Sequence, residues 1–445
     1  MAEVTTEIEA LIGDGSTAEW ALEAIEMAAR RAVLRVAARA VEQRLSADTS
    51  DYVGPTTACP RCQQDARYVD RRCKTVTSAL GPLTHARAYY YCGACQAGFC
   101  PRDAALGLEH TSLTPAVTRM LGLVAAMVSF EESHELLRDL AGVDVPTKHV
   151  ARAAEALERQ IAEDERRVVE PPPTDPPLAP TLYLGMDGTG LPMRASELQG
   201  RAGKQPDGLA KTREVKLVTV WSAEGRDHDG IPTRDHGSVT YSAASESAAS
   251  RDTDELLSAF AQCVEREARR RGFDRAERRV VLGDGALWIW NMADELFPGA
   301  IQIVDLYHAK GYLSDVAKAI YGPASDLGAC WAKQRRDDLD NGRIDALLEA
   351  LRAHADTNAE ARKCLDYVIR NRQRMRYPEF RALGLCVSSG VVEAGCKVAI
   401  GTRLKRAGMH WTVAGADASI ALRCCKLSGC FEDFWARRAQ RKTAA

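Results

Sequence analysis

No stretch of this sequence approaches the roughly 18 to 20 consecutive apolar residues that a membrane helix needs, so a helical membrane protein is excluded. The opening MAEVTTEIEALIGDG has neither a basic n-region nor an apolar h-region, and the chain is therefore expected in the cytoplasm. A large net charge of either sign is also missing, the formal value being −2 over 445 residues. Charge is instead gathered locally. Residues 397–445 hold ten Lys or Arg against three acids, and residues 361–381 hold seven against two, with Tyr367 and Tyr377 interleaved. Basic runs with scattered aromatics suit a phosphate-backbone surface, although a solvated helix face is the ordinary origin of a charge run.

A hydrophobic fraction of 46% and this length allow several packed domains. With no export signal, the 14 cysteines are not expected to pair as disulfides. Their spacing points to metal. Cys59-Pro-Arg-Cys62 and Cys92-Gly-Ala-Cys95 are two C-x-x-C knuckles, each with a Pro or Gly that lets the backbone turn its amides toward sulfur, and four thiolates so arranged suit a closed, structural Zn²⁺ site. A redox role for one pair is disfavoured, because no thioredoxin-like βαβ pattern surrounds it. The gap between the knuckles reads as two hairpins, ARYVDRR and TVTSALGPLTHARAYYY. Cys73, His85 and Cys100 are spare donors without an assigned role. Cys263, Cys364, Cys424, Cys425 and Cys430 stand in apolar or helical contexts, where a buried cysteine acts as a small hydrophobe.

The pattern divides the chain into seven stretches. Residues 1–50 include an amphipathic helix with Trp20, Leu22, Ile25, Ala29, Val33 and Val36 at helical spacing. The cysteine ribbon occupies 55–105. Residues 110–168 are helical and include a helix-turn-helix rhythm, with Gly142 ending one helix and Thr147 capping the next. A stiff proline-rich linker, 169–180, marks a boundary. Residues 181–310 then read β-β-β-α-β-α-β, residues 311–385 are helical and look inserted, and 386–445 complete the sheet domain with a basic tail. Three antiparallel strands followed by two crossover units give a mixed α/β sheet with helices on its faces.

Two acids stand where strands seem to stop, Asp187 in YLGMDGTG and Asp284 in VLGDGALWIW. Asp-Gly is a common turn signal, and either alone would be punctuation. In the expected topology, however, the first and fourth strands are neighbours, so both carboxylates would enter one cleft. Adjacent carboxylates repel unless a cation lies between them, and Mg²⁺ is the natural one. Two such ions clamp an in-line displacement at phosphorus. Glu393, near a helix start with Lys397 one turn on, is the candidate third acid; Glu379 beside Pro378 is its rival. GRAGKQPDG lacks the spacing of a nucleotide-binding loop. Trp288 and Trp290 read as core, and Asp235, Asp252 and Asp254 as turn or cap residues.

Together YLGMDGTG, GRAGKQPDGLAKTREVKLVTVW, VLGDGALWIW, IQIVDLYHAKGYL, RMRYPEFRALGLCVSSGVVEAGCK and TRLKRAGMHW resemble bacterial insertion-sequence transposases of the Kra type, over nearly the whole chain and including the two knuckles. The resemblance implies a DDE transposase with an RNase H-like catalytic domain interrupted by a helical insertion. Asp187, Asp284 and Glu393 match its three metal-binding acids, holding two Mg²⁺ ions for which Mn²⁺ substitutes. His308, in Asp305-Leu-Tyr-His308, matches an element that orients DNA or supports the site, or else is a satisfied strand-end histidine. Lys397, Arg403, Lys405 and Arg406 are candidate DNA contacts, and Cys430 stands where the family more often has a basic residue. The implied partners are double-stranded DNA, at element ends and target, and at least a second copy of the chain, since two ends must be paired. The implied setting is the bacterial nucleoid. A non-catalytic DNA-binding regulator and a nuclease of RNA-DNA hybrids are the alternatives.

Overall fold

The computed structural model describes residues 6, 22–167, 179–201, 203, 208–245, 249–253, 256–388 and 390–444, with the backbone alone for 441–444. Trp20, Asp254, most of the proline-rich segment and more than half of GRAGKQPDG lie outside them. The chain forms two units, Met1–Leu157 with Glu432–Ala445, and Glu158–Phe431. The division falls inside a helix, Thr147–Arg167, ahead of the proline-rich segment.

In the first unit a helix, Leu22–Ala47 (α1), lies against a four-stranded antiparallel sheet of β1 (Thr56–Ala58), β2 (Asp65–Ser78), β3 (Gly81–Cys92) and β4 (Ala97–Phe99). One long hairpin, β2 with β3, replaces the two hairpins expected between the knuckles. Its register shifts between Tyr68 and Asp70, and Gly81, at φ +105°, closes its turn. The helix buries Ala32 and Ala38, while Leu22 and Val33 of the expected apolar stripe are exposed. Further on, Ser129 caps the helix Phe130–Leu136 (α2) in a capping box. A π-helical turn carries this helix to Gly142, whose φ of +70° ends it. Thr147 is the first residue of the following helix, Thr147–Arg167 (α3), rather than its cap, because the Pro146 carbonyl already accepts from Val150 N–H at 3.0 Å.

The second unit is built on β5 (Thr181–Pro192), β6 (Thr212–Ser222), β7 (Thr240–Ala244), β8 (Arg278–Gly283) and β9 (Ile301–Val304), in the spatial order β9-β8-β5-β6-β7. β5, β6 and β7 pair antiparallel, and β8 and β9 add parallel on the far side of β5. A strand order of 3-2-1-4-5 with this sense is RNase H-like, and it makes the unit a mixed α/β domain. Both faces of β6 are covered, which explains its unbroken apolar run: Val218 and Val220 join one core, Val215 and Leu217 the other.

After β9 come five helices: α4 (Leu306–Tyr321), α5 (Asp326–Asp340), α6 (Ile344–Ala355), α7 (Ala359–Asn371) and α8 (Tyr377–Ala382). They correspond to the helical insertion, yet they are not a separate body. Leu313, Leu347, Tyr367, Tyr377 and Phe380 belong to the same buried cluster as Leu184 and Val281 of the sheet. The chain then returns through Gly390–Gly395 (α9), which carries Glu393 and runs into a π-helical stretch, Cys396–Gly401. No described helix is long and apolar enough to cross a membrane.

Candidate active site

Asp187, Asp284, His308 and Glu393 all line one cleft of about 550 Å³ in the second unit. Asp187 is not at a strand end. It sits in mid-strand opposite Leu217, because β6 continues to pair as far as Pro192↔Thr212. The glycines that suggested a turn serve the ladder instead: a Cβ on Gly188 would meet the Glu214 carboxylate at 2.3 Å, and one on Gly190 would meet Thr212 at 3.1 Å. Asp284 does follow its strand. It stands on a turn in which its Oδ1 accepts from Ala286 N–H at 2.9 Å and Gly285 has φ +96°.

Glu393 reaches the cleft because its helix lies unusually close to the sheet. A Cβ on Gly185 would come within 1.9 Å of Val392, and one on Gly395 within 2.9 Å of Leu217. Two glycines therefore set how near the third acid comes to the first. Glu379, the rival, lies on α8, pairs with Arg376 and does not line the cleft.

Apart from Asp305, the further lining residues carry no role in the sequence motifs. Tyr307, Gly311, Tyr312 and Asp315 come from α4, and Asp305 caps that helix, accepting from His308 N–H. His308, Tyr312 and Asp315 recur at helical spacing, so one face of α4 carries all three. Trp290 is buried and Trp288 packs against the core, as expected, and Lys216 lies 4.1 Å over the Trp288 ring.

Burial, and secondarily the Asp284 carboxylate, push the Asp187 carboxyl above its ordinary value, while Gly188 N–H at 2.7 Å and the Cys396 thiol oppose them. Lys397, 2.7 Å from Glu393, holds that carboxyl below the usual range. Burial keeps the Cys396 thiol protonated. Carboxylates thus line the cleft together with His308, and the Asp284 charge opposes the ionisation of Asp187. That is the donor set of a hard divalent cation such as Mg²⁺.

The four knuckle cysteines also converge. Their sulfurs all lie within 4.8 Å of one another, with Cys59–Cys95 at 3.6 Å and Cys62–Cys92 at 3.5 Å. Tetrahedral sulfur at a Zn–S distance of about 2.3 Å requires S···S edges of about 3.8 Å, so the set fits zinc. Among the described residues no other three His, Cys, Asp or Glu side chains bring their ligand atoms this close, the acids of the cleft included, and Cys73, His85 and Cys100 stay outside the cluster.

The basic runs divide on inspection. Lys405 and Arg406 are exposed, and Lys405 donates to Thr189, two residues along β5 from Asp187. Arg403, expected to contact DNA, is buried at 1% exposure, its guanidinium 5.5 Å from the Trp411 ring and 3.9 Å from the Met409 sulfur, and it does not face solvent. The interleaved tyrosines of 361–381 are likewise buried. Lys363, Arg372, Arg376 and Arg381 in that run each pair with an acid, so much of it is a salt-bridged helix face. Arg270 reaches Cys430 Sγ at 2.6 Å.

No family model matches the chain. A protein of Streptococcus gallolyticus described as a UPF0236 protein in the vanSb 3′ region is 21% identical over 346 residues, covering 76% of this chain and 69% of its own length. Among solved structures, a chain of the Drosophila P element transposase strand transfer complex matches 76% of this chain and 84% of its own at 9% identity, with a TM-score of 0.24. A score this low leaves the fold assignment to the strand order alone.

Proposed function

We propose that the chain is a DDE transposase of a bacterial insertion sequence, of the Kra type its sequence resembles, which cleaves and joins DNA with the help of divalent metal. One observation carries the reading: Asp187 from β5, Asp284 after β8 and Glu393 from α9 share one cleft on a sheet of RNase H-like order. In this reading Asp187, Asp284 and Glu393 hold two Mg²⁺ ions, or Mn²⁺ in their place, which when bound polarise the scissile phosphodiester and lower the pKa of an attacking hydroxyl. The protein's own part is placement. The mid-strand ladder fixes Asp187, and the turn at Gly285 presents Asp284. Exposed Lys405 and Arg406 would bind the phosphate backbone, in contacts weakened by salt. Zinc held by Cys59, Cys62, Cys92 and Cys95 would brace the ribbon, and the ribbon with the helices at 130–167 would read the element's ends. Two ends must be brought together, so the working form is at least a dimer, acting in the cytoplasm at the nucleoid.

The test is cleavage and strand transfer on duplex DNA carrying the element's end, with Mg²⁺ or Mn²⁺. Asp187→Asn, Asp284→Asn and Glu393→Gln should each lower the rate by at least about a thousandfold while end binding persists. A wild-type chain that binds the ends without cutting them would make it a DNA-binding regulator instead.

A further inference from the structure

The first two acids of the cleft are held very differently. Asp187 has a hydrogen-bonded strand on either side of its own, β6 pairing through it and β8 alongside as far as Gly185. Asp284 has left its ladder, since β8 ends at Gly283, and it stands beside a residue in the left-handed region. Glycine takes up that conformation without strain but leaves it as easily, so the turn needs outside support to hold one geometry.

The support comes from the helical block. Tyr367 of α7 donates its hydroxyl to the Asp284 carbonyl at 2.8 Å, and its ring fills the space behind Gly285, where a Cβ would meet it at 2.4 Å. The residue is 7% exposed, and its hydroxyl is the donor in this bond because a backbone carbonyl can only accept. Its ring packs on Tyr312 at 4.6 Å, and Tyr312 packs edge-on against His308 at 5.2 Å. The contact from Asp284 to His308 is thus continuous and runs entirely through helices after β9. The same device appears once more. Tyr377 of α8 donates to the Val304 carbonyl at 3.1 Å, just before the cleft residue Asp305.

We propose that Tyr367 is a positioning residue for Asp284, and that through it the helical block sets how tightly the cleft takes a divalent cation. The proposal rests on the three-acid reading of the cleft. Tyr367→Phe keeps the packed ring and deletes only the donor. Manganese alone, titrated into the full chain without DNA and followed by its electron paramagnetic resonance signal, reads the site without relying on catalysis. Tyr367→Phe should raise the Mn²⁺ Kd about three- to tenfold, the size expected when one hydrogen bond is lost, with Tm changed by no more than a few degrees. Gly285→Ala, which presses on the ring from the other side, should weaken Mn²⁺ binding as well. Tyr321→Phe, in the same block and away from the cleft lining, should leave it unchanged. Unaltered Mn²⁺ affinity in both Tyr367→Phe and Gly285→Ala overturns the positioning role and leaves the three-acid site standing. A wild-type chain that takes up no Mn²⁺, or takes it up equally well as Asp187→Asn, overturns the reading beneath it.

Discussion

Lys397 lies 2.7 Å from Glu393 and one helical turn beyond it, so the third acid of the cleft already has a cation of its own. Both side chains are well exposed, at 73% and 67%, which keeps the pair weak. It nevertheless competes with metal for the same carboxylate. Lys397→Ala should therefore tighten Mn²⁺ binding a few-fold at neutral pH, measured without DNA. The gain should shrink as pH falls toward the ordinary glutamate range, where protonation rather than Lys397 withholds the carboxylate. Weaker binding in the variant at pH 7 would refute the competition.

Asp187 allows a prediction about stability. A carboxyl raised by burial holds its proton longer in the folded chain than in the unfolded one. The associated stability is complete below about pH 4 and is lost as pH rises through the folded value. Metal-free Asp187→Asn should thus melt about 2–4 °C above wild type at pH 7.5, and the two curves should meet near pH 4. Mg²⁺ should stabilise only the wild type. Equal melting temperatures at both pH values would show that the carboxylate is not strained.

The cysteine cluster predicts proton release. The Arg61 amide, first among several hydrogen bonds, lowers the Cys59 thiol to about 7, while burial raises Cys95 to about 12. Cys95 must lose its proton to bind metal, so Zn²⁺ binding should acidify a weakly buffered solution and weaken as pH falls. A chelator should selectively melt the first unit. Calorimetry in buffers of different ionisation enthalpy would measure the protons, and finding none released would remove these cysteines as ligands.

Arg403 and Lys405 should part company under mutation. Arg403→Ala removes a buried side chain packed on Trp411 and should cost about 2–4 kcal/mol of stability. Lys405→Ala should leave stability nearly unchanged, weaken DNA binding, and reduce the salt slope by about one. Urea melts and binding isotherms at several salt concentrations separate the two. A stable Arg403→Ala with a reduced salt slope would restore the surface role that its burial argues against.

The sequence made the sheet legible because its strands are apolar runs of strand length with turns between them, and that order alone brings Asp187 beside Asp284. Asp187 looked like a strand end because Gly188 and Gly190 carry the same local signal in a turn as in a ladder that clears Glu214 and Thr212. Only pairing with β6 distinguishes the two. The burial of Arg403 and Tyr367 is hidden from the sequence for a related reason. A basic run with aromatics has one appearance whether its side chains face solvent or a core, and the core that buries Tyr367 is assembled from segments far apart in the chain. Asp315 and Tyr312 were within reach, since they repeat His308 along one helix face.

Gly185 and Gly395 let the helix of Glu393 settle onto the sheet because neither carries a side chain. The spacing of the acids is therefore written at two positions that bear no reactive group. A single methyl at Gly185 would wedge the helix away and open the cleft while leaving Asp187, Asp284 and Glu393 untouched. A chain with all three acids intact would in this way lose their spacing, so retained acids alone do not guarantee a formed site.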